Sequence, residues 1–389
     1  MTEIAIVGAG QTSFGDHPEL TIKEMFRKAV DEAFGSVDKG IDIAAIKAAY
    51  IGSLGSGGFQ LGQSAVLMAE YAGLRGIPVM RVENACASGG FAMYAGVLAI
   101  MSGLYDVVLV GGAEKMRDIS AVQSKYWLGV SGDTEYERLA GLTFAGIYAL
   151  MAERYMHEYK VEKKYLSMVS VKNHQHGRMN PKAHLRRPVT LEDAMSSAPV
   201  AKPLNLYDCC PTSDGAAVAI LSRGDIACEF TGTPIYVKGF GVGADALAIH
   251  DRSDITGLAA ARTAAAQAYG MAGVKSTDID LAEIHDCFTI AELMAYEDLA
   301  FVSKGHARDL LDEGATHLGG RIPVNVSGGL KSKGHPLGAT GVGQVSEVFS
   351  QLRGMARLPE RQVRDARLGL THNVGGSGGS AAVFILERR

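Results

Sequence analysis

A cysteine stands between a short apolar run and a helix rich in small residues, in Asn84-Ala85-Cys86-Ala87-Ser88-Gly89-Gly90. Free backbone N–H groups and the positive end of a helix dipole favour a thiolate at such a place, which is what a nucleophile needs. A lone cysteine usually packs as a small hydrophobe, but the flanking Gly and Ser leave room for a ligand and tip the reading toward covalent catalysis. A second cluster, Gly328 to Gly341, holds His335 between Gly334 and Pro336 in a glycine-rich loop that can bury little. Beside Cys86 this histidine would be the base of a Cys-His pair. Taken alone, the loop and its Lys331 and Lys333 fit an anion-binding turn as well.

Two further groups stand at strand ends. His285 and Cys287, in Glu283-Ile284-His285-Asp286-Cys287-Phe288, follow the strand Leu281 to Ile284, at the carboxyl end where open α/β sheets place their sites. They suit an oxyanion donor and a proton shuttle. No other Cys or His lies at finger or ribbon spacing, so no metal is expected, and His174 and His176 stay unassigned. Thr371 to Gly379, with Asn373 and Gly375, is a strand running into glycines whose N–H groups would make an oxyanion hole or simply a tight turn.

The elements that must position these groups alternate. Strands are expected at Ile4 to Val7, Ala48 to Ile51, Val79 to Val82 and Tyr105 to Val110, with helices at Thr21 to Phe34 and from Ser88. Strands alternating with helices predict an α/β sheet covered on both faces. From about Ala113 to Tyr207 strand-like runs vanish, which reads as a helical insertion, and the alternation resumes at Asp214. Val82-Glu83-Asn84 and Pro323-Val324-Asn325 each lead through a small-residue turn into a helix and then a strand toward a Gly pair, which suggests an internal duplication.

Composition narrows the function. The 389 residues allow two or three domains, and the formal charge of −4 gives no basic excess for binding nucleic acid. Five cysteines without paired spacing point to a reducing compartment, and the start carries no signal-peptide pattern, so a cytoplasmic protein is expected. Asn84 to Tyr105 carries enough uncharged residues nearly to span a bilayer, but its Gly, Ala and Ser fit a packed internal helix better.

Asn84-Ala85-Cys86-Ala87-Ser88-Gly89, Gly111-Gly112-Ala113-Glu114, His285-Asp286-Cys287-Phe288, Gly334-His335-Pro336 and Asn373-Val374-Gly375, in this order, resemble the thiolases over the whole chain. The His-Asp-Cys-Phe motif, with Lys172-Asn173-His174 and Cys210 to Ala217, is similar to the sterol-carrier-protein-type branch and its bacterial and archaeal relatives. The resemblance implies a five-layered α-β-α-β-α thiolase fold of two similar βαβαβαββ halves. On it, residues 1–112, continuing at 208–232, form the N-terminal half, 113–207 an inserted loop domain, and 233–389 the C-terminal half.

The resemblance also implies roles. Cys86 attacks the keto carbon of a 3-oxoacyl-CoA and CoA captures the acyl group, or the reaction runs backwards as a Claisen condensation. His335 activates Cys86 and helps hold the thioester oxygen. The best-known thiolases carry Asn-Glu-Ala-Phe where this chain has His285 to Phe288, and Cys-x-Gly where it has Asn373 to Gly375. Cys287 therefore takes over proton transfer and His285 the asparagine's role, while N–H groups of Cys86 and Gly375 make the second oxyanion hole. In the basic stretch Lys163 to Arg187, Lys172, Arg178 and Lys182 are the candidates for CoA phosphates, against the plainer reading of a solvated face. Coenzyme A is expected as substrate with no permanently bound cofactor, in a homodimer or homotetramer, with a small zinc-ribbon/OB-fold protein as a further partner. The rival readings are a ketosynthase acting on carrier-bound acyl groups, which needs no base for an α-proton and so no thiol at 287, and an inactive scaffold.

Overall fold

The structure, a computed structural model, describes residues 2–58 and 60–389. β1 (Ile4–Gln11) is buried along its whole length, as a strand covered on both faces must be. α1 (Ile22–Gly35) starts at a reciprocal capping box between Thr21 and Glu24 and lays Met25, Phe26, Ala29, Val30 and Ala33 inward. β2 (Ala49–Gly52), α2 (Ser64–Tyr71), β3 (Val79–Val82), α3 (Ser88–Met101) and β4 (Val107–Glu114) continue the alternation. Residues 115–214 then hold α4 (Ala121–Gly129), α5 (Phe144–Tyr159), α6 (Lys163–Arg178), α7 (Leu191–Ser196) and a small hairpin, β5 (Pro199–Ala201) and β6 (Leu204–Asn205). β7 (Gly215–Arg223) returns to the sheet, followed by α8 (Ala227–Phe230).

The second half comprises β8 (Ile235–Ala244), α9 (Ala259–Ala272), β9 (Leu281–Glu283), α10 (Thr289–Asp298), α11 (Ala307–Asp312), α12 (Gly329–Lys333), α13 (Leu337–Leu352), β10 (Leu368–Gly375) and β11 (Ser380–Arg388). Its strand order repeats the first. One half runs β3-β2-β4-β7-β1, and the other runs β9-β10-β11-β8 with Val324 bridging Ala282 in parallel where a fifth strand belongs. In each half the two outer pairings are parallel and the two inner ones antiparallel. The halves join edge to edge through two residue pairs, Ala5 with Tyr236 and Ile6 with Ile235.

The layers follow from which faces are apolar. α1 and α2 cover one sheet from outside, while α9, α10 and helices of residues 115–214 cover the other. α3 and α13 pack on each other between the two sheets, each touching β2, β4, β7, β10 and β11. A helix apolar on all sides is what this central layer requires, and α3 is 14 residues without a charge. Glycines set its spacing. A Cβ on Gly89 would lie 2.8 Å from the Gly338 carbonyl oxygen, and one on Gly112 would overlap that same oxygen. Only glycine permits so close a backbone approach. Among the described residues no helix is long and apolar enough to cross a membrane, so the Asn84 to Tyr105 run is accounted for by α3 and the turns around it.

Candidate active site

Cys86 sits in a turn that leaves β3 and starts α3. Ala85 holds the left-handed backbone conformation, φ +51°, at a cost of roughly 1–2 kcal/mol for a residue with a Cβ. Ser88 keeps it there: its hydroxyl accepts from Asn84 N–H at 3.0 Å and donates to the Ala85 carbonyl at 2.6 Å. Cys86 is half-buried. Burial pushes its thiol up to about 12, and the Glu114 and Glu83 carboxylates add to this against the N–H groups of Gly376 and Cys86 itself. The expected resting thiolate is thus corrected: desolvation outweighs the helix terminus. The sulfur is a thiol at neutral pH and needs a base when it attacks.

That base stands next to it. Ligand atoms of Cys86, His285 and His335 all lie within 4.8 Å of one another. The two imidazoles meet edge to face with centroids 5.1 Å apart. Their tautomers follow from their partners, by the hydrogen-bond network. Thr340 Oγ1 donates to the Pro336 carbonyl at 2.9 Å, so at 2.7 Å it accepts from His335 Nδ1 and leaves Nε2 as a bare lone pair. Asn373 Nδ2 donates to His285 Nδ1 at 3.2 Å, so His285 carries its hydrogen on Nε2. Among the described residues neither Nε2 has a partner, although both rings are buried. Burial lowers His335 to about 3 and His285, also repelled by His335 and His372, well below the imidazole range, so both are neutral. One neighbour of the thiol is an acceptor and the other a donor. The same closeness would let a soft divalent cation bridge all three groups.

Asn373 is a hub. Its Oδ1 accepts from Gly90 N–H at 3.0 Å, and its Nδ2 donates to the Cys86 carbonyl at 3.0 Å as well as to His285. Its amide is fully used, so it orients the site and is not free to hold an oxyanion. The N–H groups of Gly376 and of Cys86 itself favour negative charge on the Cys86 sulfur. A Cβ on Gly375 would press on the Asn84 carbonyl oxygen at 2.6 Å, which explains the glycine there. Cys287 is buried near Cys86 and Cys210, with the Tyr148 hydroxyl beside it, and burial raises its thiol far above the ordinary range.

The loops carrying these groups are tied down by buried carboxylates. Glu114 accepts N–H bonds from Leu54, Gly55, Ser56 and Gly338 at 2.8–3.1 Å, which fixes the start of α13. Asp286, pushed up to about 7 by burial and by Glu292, accepts from Leu330 N–H at 2.6 Å and from Asn173 Nδ2 at 2.7 Å.

Lys172 belongs to this framework. It is fully buried in an ion pair of 2.6 Å with Glu292, so it cannot meet a phosphate. Lys182 is likewise tied to Glu32 and the Gln11 carbonyl, and of the three phosphate candidates Arg178 alone is exposed. His174 and His176 face different carbonyls, Arg187 and Asn325, and share no ligand position.

Two cavities adjoin these loops. One of about 560 Å3 opens at Asn84, Ala85, Ser131 and Gly375. A larger one of about 950 Å3 lies along α5, where Arg154, Arg262 and Lys304 are paired with Glu158, Asp298 and Glu297.

A cysteine at a strand-to-helix turn, served by two histidines from a second half of like topology, defines a condensing-type acyltransferase. The thiolase N-terminal domain matches residues 4–225 and the thiolase C-terminal domain-like family matches residues 241–388. The chain belongs to the thiolase family and is a CoA-dependent acyltransferase of the thiolase type; the ketosynthase alternative is not favoured. It is 45% identical to an acetyl-CoA acetyltransferase of Methanothermobacter thermautotrophicus, with 100% of both chains covered. It is 34% identical to sterol carrier protein 2 of Gallus gallus, covering 98% of this chain and 71% of that protein. Among solved structures, the Ltp2-ChsH2(DUF35) aldolase superposes with a TM-score of 0.86 at 26% identity, covering 100% of this chain and 98% of that one.

Proposed function

We propose that the protein exchanges acyl groups between 3-oxoacyl-CoA and CoA through a thioester on Cys86, with an acetyl unit as the fragment cleaved or added. The observation that carries this is the meeting of Cys86 with two neutral histidines whose Nε2 atoms have no partner among the described residues. In cleavage His335 Nε2 takes the Cys86 proton as sulfur bonds to the keto carbon. The resulting thiolate–imidazolium pair offsets the desolvation of each charge by roughly 4 kcal/mol at about 4 Å and an effective dielectric near 20.

The C2–C3 bond breaks and leaves its electron pair on C2 as the enolate of an acyl-CoA. His285 Nε2–H and the newly protonated His335 Nε2–H hold the enolate oxygen, and Cys287 supplies the proton to C2. The acyl oxygen on Cys86 is held by N–H groups of Cys86 and Gly376. CoA then gives its thiol proton to the Cys287 thiolate and takes the acyl group, while the His335 imidazolium returns its proton to the departing sulfur, which frees Cys86 as a thiol. The acetyl unit is supported by the similarity to an acetyl-CoA acetyltransferase.

The same reading includes a homo-oligomer in the cytoplasm and a small zinc-ribbon/OB-fold partner, the latter supported by the two-component name of the Ltp2-ChsH2(DUF35) aldolase. Intact-protein mass spectrometry after incubation with acetyl-CoA and acetoacetyl-CoA tests it. An acyl mass mapped to Cys86 is expected, and labelling of another cysteine in its place sinks the assignment.

A further inference from the structure

Helix α5, in the stretch between β4 and β7, delivers one polar side chain to the reacting groups. Tyr148 is fully buried, its ring stacks on Phe288 with centroids 4.7 Å apart, and its hydroxyl donates to the Gly376 carbonyl at 3.2 Å. The Cys287 thiol lies beside that hydroxyl. The N–H of the Gly376 peptide, with that of Cys86 itself, favours negative charge on the Cys86 sulfur. A single phenol therefore bonds to a peptide that serves the nucleophile and lies beside the thiol that serves the α-carbon.

A phenol has one hydrogen and two lone pairs. While its hydrogen rests on the Gly376 carbonyl, a lone pair can receive the Cys287 S–H. Rotation about the C–O bond turns the hydrogen toward the sulfur with no heavy atom moving. The other titratable groups facing Cys287 are Cys210, Cys86 and Asp286, and each of them disfavours negative charge on its sulfur. Tyr148 is the neighbour that favours it, and Arg252 is the cation facing Tyr148.

We propose that Tyr148 is a positioning residue of the α-proton step: its hydroxyl turns from the Gly376 carbonyl to the Cys287 sulfur as that sulfur gives up its proton, and holds the thiolate until a proton returns. The inference rests on the reading of Cys287 given above. In cleavage the S–H bond of Cys287 breaks and a C–H bond forms at C2. The negative charge passes from enolate to sulfur, and Tyr148 keeps its own proton throughout. A hydrogen bond to a buried thiolate is charge-assisted, hence stronger than the one it replaces.

Tyr148→Phe keeps the ring and its stack on Phe288 and removes only the hydroxyl. Two half-reactions are measured on the full chain: acyl transfer from acetyl-CoA to Cys86, and exchange of the acetyl protons with deuterium oxide, both across pH. Exchange should fall on the order of 10²-fold and its pH profile should move to higher pH, while Cys86 acylation changes by less than about threefold. Equal slowing of both half-reactions would mean a framework role and overturn the inference, as would unchanged exchange. Cys287→Ala runs alongside. If exchange survives there, the reading of Cys287 falls and this inference with it. If exchange is lost in Cys287→Ala and intact in Tyr148→Phe, only this inference falls.

Discussion

The two halves share a strand order and differ in what equivalent positions carry. β4 and β10 are both eight residues long and sit between a parallel and an antiparallel neighbour. The sixth residue is Gly112 in β4, where the Gly338 backbone passes too close for any side chain. In β10 it is Asn373, whose amide holds the Cys86 carbonyl, Gly90 N–H and His285 together. The last residue is Glu114 in β4, a buried carboxylate that binds loops. In β10 it is Gly375, where a Cβ would press on the Asn84 carbonyl oxygen.

The onward connections differ as well. β10 reaches β11 through residues 376–379, whereas β4 reaches β7 through residues 115–214, which supply Tyr148. A duplicated frame thus supplies two loops at its centre, and divergence at a few matched positions makes one carry the nucleophile and the other its base.

The comparison breaks hardest at His335. His335→Ala should slow acylation of Cys86 by about 10² to 10⁴-fold, read by burst kinetics with an acyl-CoA, and an unchanged rate would deny the two loops their division of labour. Next comes the tight crossing of the halves: Gly112→Ala forces the Gly338 carbonyl away and should cost about 3 kcal/mol or more, measured as a drop in the urea midpoint.

Asn373→Gly makes β10 read like β4 at its sixth residue. It should lower kcat by roughly 10 to 100-fold through loss of the His285 tautomer, by analogy with other orienting partners, while leaving the fold intact by circular dichroism.

The mildest test is His372, matched by Gly111 in the first half. Both of its ring nitrogens are unpartnered and burial lowers it to about 3. A folded-state value below the unfolded 6.5 means that its full stability is present above pH 6.5 and is lost as pH falls toward 3. His372→Phe should be near neutral at pH 7 and should flatten the stability loss between pH 6 and pH 5 by about 1.4 kcal/mol per pH unit. An equally steep loss in the variant would point to the other buried histidines.

Much of this was legible in the residues themselves. The alternation of periods two and 3.6, the small-residue helix after Cys86 and the glycine pairs at strand ends pointed to a sheet covered on both faces and to the repeat, because burial on both faces leaves a local signature, while the five layers came with the thiolase resemblance. The thiolase resemblance brought the scattered motifs into one site. What failed were inferences about charge. Lys172 and Lys182 look like phosphate ligands in a row of basic residues, yet each is neutralised by a carboxylate far away in sequence. Cys86 looks like a thiolate until its burial is known. Tyr148 lies in a helix with ordinary periodicity, and only the packing of α5 on Phe288 reveals it.

The placing of α3 and α13 has a bearing on how the molecule is made. α3 spans residues 88–101 and its packing partner residues 337–352. During synthesis the first half emerges with an uncharged helix covered on one side only, and it stays so until residues 337–352 have left the ribosome. Neither half can therefore mature as an independent unit, and truncation before residue 352 should leave an aggregation-prone fragment.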